Sequence, residues 1–202
     1  MIDITKIDFS KLDGLVPAIV IDSFTDQVLM LGFMNPDALT KTIDSKRVTF
    51  FSRSRKTLWT KGETSGNYLD LVDIKLDCDN DSLIVYTIPL GNTCHTGSYS
   101  CFGVEKNDAR FLEHLFKFIQ KRKNELPENS YTTKLFKSGA DRIIQKVGEE
   151  AIETVVAAKN RNKLEILSEV SDLIYHLFVL LAEQDITLDE VGNTLKNRHI
   201  TK

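Results

Sequence analysis

Residues 103–108, Gly103-Val104-Glu105-Lys106-Asn107-Asp108, divide this 202-residue sequence into two textures. Before Val104 lie seven of the ten glycines and three of the four prolines, and the apolar runs are short and rich in Val, Ile and Phe. Such punctuation produces strands and turns. From Asp108 onward only Gly139, Gly148, Gly192 and Pro127 interrupt long segments whose apolar residues recur at helical spacing. Two domains are therefore expected, 1–106 and 107–202: an N-terminal α+β domain with a mostly antiparallel sheet, and a C-terminal all-α helical bundle.

On the N-terminal side, Leu15 to Ile21 and Gln27 to Phe33 flank a polar turn and predict a hairpin. Asn35-Pro36 supplies an N-cap followed by proline at the first helical position, so a short helix is expected over 36–45. Further strands are expected at Arg47 to Ser52, Leu69 to Leu76 and Ser82 to Ile88. On the C-terminal side, helices are expected near 109–124, 131–138, 140–159, 163–184 and 187–197, with Asp185 capping the last.

Composition narrows the function. Twenty-six Lys and Arg against 29 Asp and Glu give a formal charge of -3, which provides no basic field for a nucleic-acid backbone. The apolar runs fall far short of the ~20 residues that cross a bilayer, and the N-terminus has no signal-peptide core. A cytoplasmic protein is expected. Its cysteines, Cys78, Cys94 and Cys101, are odd in number, which favours reduced thiols or metal binding over a disulfide framework.

Asp77-Cys78-Asp79-Asn80-Asp81 places carboxylates at i, i+2 and i+4. In an extended chain they share one face and Cys78 points to the other. They either bind a hard cation such as Mg²⁺ or Ca²⁺ or form a polar turn before the next strand. Cys94-His95-Thr96-Gly97-Ser98-Tyr99-Ser100-Cys101 adds two thiols on a loop that Gly97 and Gly103 allow to fold tightly. Three thiolates with an open fourth position are the arrangement of a catalytic zinc, which lowers the pKa of bound water to roughly 7. Closing that trio can require a second subunit. His95 can move a proton there or be structural. In the stretch before, Arg53, Arg55 and Lys61 offer phosphate donors, and Gly62, Ser65 and Gly66 let backbone N–H groups approach one. Trp59 either stacks on a purine or belongs to the core.

Ser52-Arg53-Ser54-Arg55, Leu58 to Asn67, Asp77 to Asp81 and Cys94-His95-Thr96-Gly97 with Ser100-Cys101-Phe102 together resemble the phosphoribosyl-AMP cyclohydrolases of histidine biosynthesis. The resemblance spans nearly all of residues 1–103. It implies Zn²⁺ on Cys78, Cys94 and Cys101 contributed across a homodimer, Mg²⁺ on Asp77, Asp79 and Asp81, and His95 as a proton-transfer residue. Asn92-Thr93 departs from the family, which usually carries proline and a small residue there; the departure touches loop stiffness and no ligand.

In the second half Glu149, Glu150 and Glu153 precede Glu169 and Asp172 on the next helix, spacings that put carboxylates on facing surfaces. Between Gly148 and Ala158 no Lys or Arg compensates them, although a solvated acidic face is the commoner arrangement. Val155, Val156, Leu173, Ile174, Leu177 and Phe178 suggest that both helices are packed into the bundle. The Glu-Glu-x-x-Glu and Glu-x-x-Asp pattern resembles the Mg²⁺ site of all-α nucleoside triphosphate pyrophosphohydrolases. More closely, Thr133 to Phe136, Ile144 to Glu150 and Asp172 to Leu177 are similar to phosphoribosyl-ATP pyrophosphohydrolase over about 109–197. That resemblance implies Mg²⁺ on Glu149, Glu150, Glu153, Glu169 and Asp172. Lys134 and Lys146 are candidates for phosphate contacts, and His176 reads as structural. The two resemblances together imply a bifunctional hydrolase: phosphoribosyl-ATP loses pyrophosphate at the second domain, and the resulting phosphoribosyl-AMP has its adenine ring opened at C6 in the first. A nucleotide pyrophosphohydrolase with a specificity module, or a structural zinc module on a helical bundle, are the alternatives.

Overall fold

The computed structural model describes residues 2–200 and divides into two compact units, one ending at Phe111 and the other beginning at Leu112. In the first, β1 (Val16–Asp22) and β2 (Val28–Met34) form the expected antiparallel hairpin. Its turn is closed by Asp22, whose Oδ1 accepts from Phe24 N at 2.9 Å. Helix α1 (Pro36–Ser45) begins at Asn35, which accepts from Ala38 N at 2.9 Å. Strands β5 (Leu69–Leu76) and β6 (Leu83–Pro89) complete a sheet ordered β2-β1-β6-β5, in which β1 and β6 run parallel and the other neighbours antiparallel. A second sheet of β3 (Thr49–Phe51) and β4 (Leu58–Thr60) is shorter. Its β4 falls where the sequence suggested only a binding loop.

Alternate residues of the strands, Val16, Ala18 and Val20 on β1 and Leu83 and Val85 on β6, point into one core with Leu39 and Phe50. Phe50 is fully buried, and Gly32 exists to admit it: a Cβ there would collide with the Phe50 ring. Phe50→Ala should destabilise this unit by about 3–5 kcal/mol. Trp59, the one tryptophan, packs on Phe50 with ring centroids 5.1 Å apart, so its fluorescence during urea unfolding reports that loss directly.

The second unit is built from α2 (Phe111–Glu125), whose first residue closes the first unit, and from α3 (Tyr131–Ser138), α4 (Ala140–Asn160), α5 (Lys163–Glu183) and α6 (Leu188–Ile200). Phe116, Ile119, Leu135, Ile143, Phe178 and Val179 form its core. Arg161, in the left-handed region at φ 55°, ends α4, and Asn162 accepts from Leu164 N at 3.1 Å to start α5. That two-residue connection turns α5 back along α4. The last helix is capped by Thr187, not by Asp185: Glu190 N donates to Thr187 Oγ1 at 3.2 Å while Thr187 N donates to Glu190 at 2.7 Å. This reciprocal pair is a capping box. Asp185 instead takes the Lys123 ammonium at 2.8 Å. Val155 and Val156 are 68% and 53% exposed, so the apolar face they share with Ile152 is not part of this chain's core. No helix among the described residues is long and apolar enough to cross a membrane.

Candidate metal centres

The cysteine-bearing segment follows β6 and is fastened to β2. Ser100 Oγ donates to Val28 O at 2.8 Å and Cys101 N to Leu29 O at 2.8 Å, which fixes Cys101 beside the sheet edge. Cys94 sits on a tight turn in which Gly97 N donates to Cys94 O at 3.1 Å, Gly97 having φ 88°. The Cys94 thiol lies 3.1 Å from Thr96 Oγ1 and 3.9 Å from His95 Nδ1. Hydrogen bonding from Thr96 holds its pKa below the usual thiol value. Cys101 is pushed the other way, first by the atoms crowded around its sulfur and then by Cys94, although the residue as a whole is exposed. Lys61 faces both: partial burial draws its pKa down, and the two cysteines pull it back up.

Cys78 is exposed at the β5–β6 turn, and the three cysteines do not form a group within 4.8 Å among the described residues. Residues 77–81 are the polar turn that the sequence offered as one of two readings, with Asn80 at φ 64°. Asp77 Oδ1 accepts from Asp81 N at 3.0 Å and Ser82 N at 3.1 Å. The turn nonetheless gathers oxygens of Asp77, Asp79 and Asp81 within 4.8 Å of one another. Lys11, from far back in the chain, reaches Asp79 at 2.9 Å and Asp81 at 3.1 Å, and those carboxylates hold its pKa well up. Sequence reasoning had no signal for Lys11, since the contact spans 68 residues.

Around the β3–β4 turn the candidate substrate residues take up varied positions. Arg53 stacks its guanidinium 3.8 Å over the Phe33 ring, and Arg55 is exposed. Trp59 is half-buried against the core, which favours its packing role. Gly62, at φ 90°, makes a close approach: a Cβ there would lie 2.5 Å from the Asn67 backbone. Gly66 is also in the left-handed region, and Ser65 Oγ accepts from Asn67 N at 3.3 Å.

In the second unit α4 and α5 bring oxygens of Glu150, Glu169 and Asp172 within 4.8 Å of one another. Glu150 is buried and Glu153 exposed. The Glu169 carboxyl is pushed above its ordinary value, first by desolvation and then by Glu153, Asp172 and Glu150. Compensating bases do exist, one or two turns upstream. Lys146 bridges Glu150 at 2.7 Å and Glu149 at 3.0 Å, and Arg142 reaches Glu149 at 3.1 Å. Lys146, expected at a phosphate, is thus committed to the glutamates, while Lys134 on α3 is exposed. His176 is buried with Nε2 3.7 Å from Glu150 and no partner for Nδ1; desolvation lowers its pKa.

Paired thiols suit a soft cation and clustered carboxylates a hard one. The first unit thus carries thiol and carboxylate donors, and the second carries carboxylates alone. A family model described as phosphoribosyl-AMP cyclohydrolase matches residues 30–103, and one described as phosphoribosyl-ATP pyrophosphohydrolase matches 112–199. The chain is 53% identical, over 96% of both sequences, to the histidine biosynthesis bifunctional protein HisIE of Escherichia coli O157:H7. It is 51% identical, over 96% of both, to that of Bacteroides thetaiotaomicron, and 50% identical to that of Buchnera aphidicola, over 97% of this chain and 91% of the other. The chain belongs to the bifunctional histidine-biosynthesis family in which a cyclohydrolase module precedes a pyrophosphohydrolase module.

Proposed function

We propose that domain 107–202 hydrolyses phosphoribosyl-ATP between its α and β phosphates, with Mg²⁺ held by Glu149, Glu150, Glu153, Glu169 and Asp172, and that domain 1–106 then opens the adenine ring of the product. In that domain Cys78, Cys94 and Cys101 hold Zn²⁺, and Asp77, Asp79 and Asp81 hold Mg²⁺. When bound, zinc supplies a water acidified toward neutrality, and magnesium neutralises polyphosphate charge. Water attacks C6 of the N1-alkylated ring and the N1–C6 bond opens; His95, adjacent to Cys94, passes the proton. Lys61, Arg53 and Arg55 anchor phosphate on a loop whose backbone approach depends on Gly62, Ser65 and Gly66, and Trp59 forms the wall behind it. Lys146 places Glu149 and Glu150, and Lys134 meets the substrate phosphates.

The observation that carries this reading is the grouping of Glu150, Glu169 and Asp172 across two helices with the Glu169 carboxyl pushed upward. Like charges so arranged repel, and a divalent cation relieves the cost. A homodimer in the cytoplasm fits the remaining features. Cys78 stands apart from the other thiols, and exposed Leu31, Ile19 and Ile84 are register neighbours in a row across the sheet. A reducing compartment suits three free cysteines.

Metal removal tests the assignment. Exhaustive chelation should abolish both activities; added Mg²⁺ should restore pyrophosphate release, and ring opening should return only with Zn²⁺ as well. Full turnover by protein shown to be free of bound metal would refute it.

A further inference from the structure

Two asparagines outside the proposed ligand and substrate sets connect the loops of the first site. Asn67 Nδ2 donates to Asn92 O at 3.0 Å, and Asn92 Nδ2 donates to Gly97 O at 2.6 Å. The bonds run in series, from the end of the Lys61 loop to the far side of the turn that carries Cys94 and His95. Space has been made for them. A Cβ at Gly91 would lie 2.5 Å from Asn67 Oδ1, and one at Gly62 2.5 Å from the Asn67 backbone. Leu90 N donates to Tyr68 O at 3.0 Å, drawing the two loops together beside the relay. The other side-chain contacts described at the turn, Cys94 with Thr96, His95 and Cys101 and Thr96 with Ser98, stay within the cysteine-bearing segment. Asn67 is thus the side chain that ties the two loops, through the Asn92 carbonyl, and Asn92 is the side chain that carries the tie on to the far end of the turn.

We propose that Asn67 and Asn92 are positioning residues, a two-bond relay that holds the Cys94–Gly97 turn at a fixed distance from the Lys61 loop, so that metal donor and substrate anchor move as one piece. The inference rests on the reading of Cys94 as a metal ligand. Outer partners that orient metal ligands typically change affinity or activity by 10–100-fold when removed.

Full-length protein stripped of metal and titrated with Co²⁺ provides the test, because thiolate-to-cobalt absorption reports the geometry of the sulfur ligands independently of turnover. Wild type should give thiolate bands. Asn92→Ala should shift or weaken them and lower Co²⁺ affinity about tenfold or more, with pyrophosphate release and thermal midpoint unchanged. Asn92→Asp keeps the shape but cannot donate, and should behave like Asn92→Ala. Because the bonds act in series, Asn67→Ala combined with Asn92→Ala should cost no more than the worse single change. Wild-type bands that persist unaltered in Asn92→Ala and Asn92→Asp, with unchanged affinity, overturn the relay alone. A wild type without thiolate bands overturns the metal assignment of Cys94 and the relay with it.

Discussion

Glu150→Gln should slow pyrophosphate release from phosphoribosyl-ATP by about 10²–10³-fold while leaving ring opening of phosphoribosyl-AMP within about twofold, an effect on the scale of losing one preorganised electrostatic group. Glu150 is the buried member of the carboxylate group, so its charge is the least screened by water and the most costly to replace. Glutamine preserves the shape and removes the charge. The fold should tolerate it, because Lys146 keeps its 3.0 Å contact with Glu149 and retains access to solvent. Separate assays of released pyrophosphate and of ring-opened product check the result. Equal loss of both would mean that the units are not independent centres; unimpaired pyrophosphate release would remove Glu150 from the centre.

The expected independence reflects how each half encodes its structure. Helix α3 was legible to the residue, because Ser130 before it and Gly139 after it are strong local signals. So was the start of α1 at Asn35-Pro36. Strand β3 lies inside the strand expected over Arg47 to Ser52, but β4 was not legible, because a strand of three residues is too short to display a period of two. The acids of both sites were legible as clusters, but their neutralising partners were not. Lys11 arrives from another part of the chain, and Lys146 and Arg142 lie upstream of the base-free stretch between Gly148 and Ala158. The Asp77 to Asp81 segment left two shapes open, because alternation places acids on one face only where the backbone stays extended, and Asn80 turns it. Val155 and Val156 are apolar, but apolarity alone does not distinguish a face buried in its own fold from one left exposed by it.

Cys101→Ser should abolish detectable ring opening, a loss of about 10³-fold or more, and lower the zinc content of the protein while pyrophosphate release continues. The local backbone should remain in place, because Cys101 N and Ser100 Oγ bind β2 through groups that the exchange does not touch. What changes is the donor: a serine hydroxyl stays protonated near neutrality and is a poor ligand for a soft cation, whereas a thiol beside a metal ionises. The same variant tests whether Cys78 acts across a subunit boundary. Mixed and reassociated with Cys78→Ser protein, it should regain about a quarter of wild-type ring opening, since half of randomly formed dimers are hybrid and each hybrid rebuilds one intact site of two. If all three thiols belong to one chain, no mixture recovers activity, because every chain carries a defective trio. Recovery therefore reports that Cys78 and Cys101 of one centre come from different copies, and its absence in demonstrably hybrid dimers would assign the centre to a single chain.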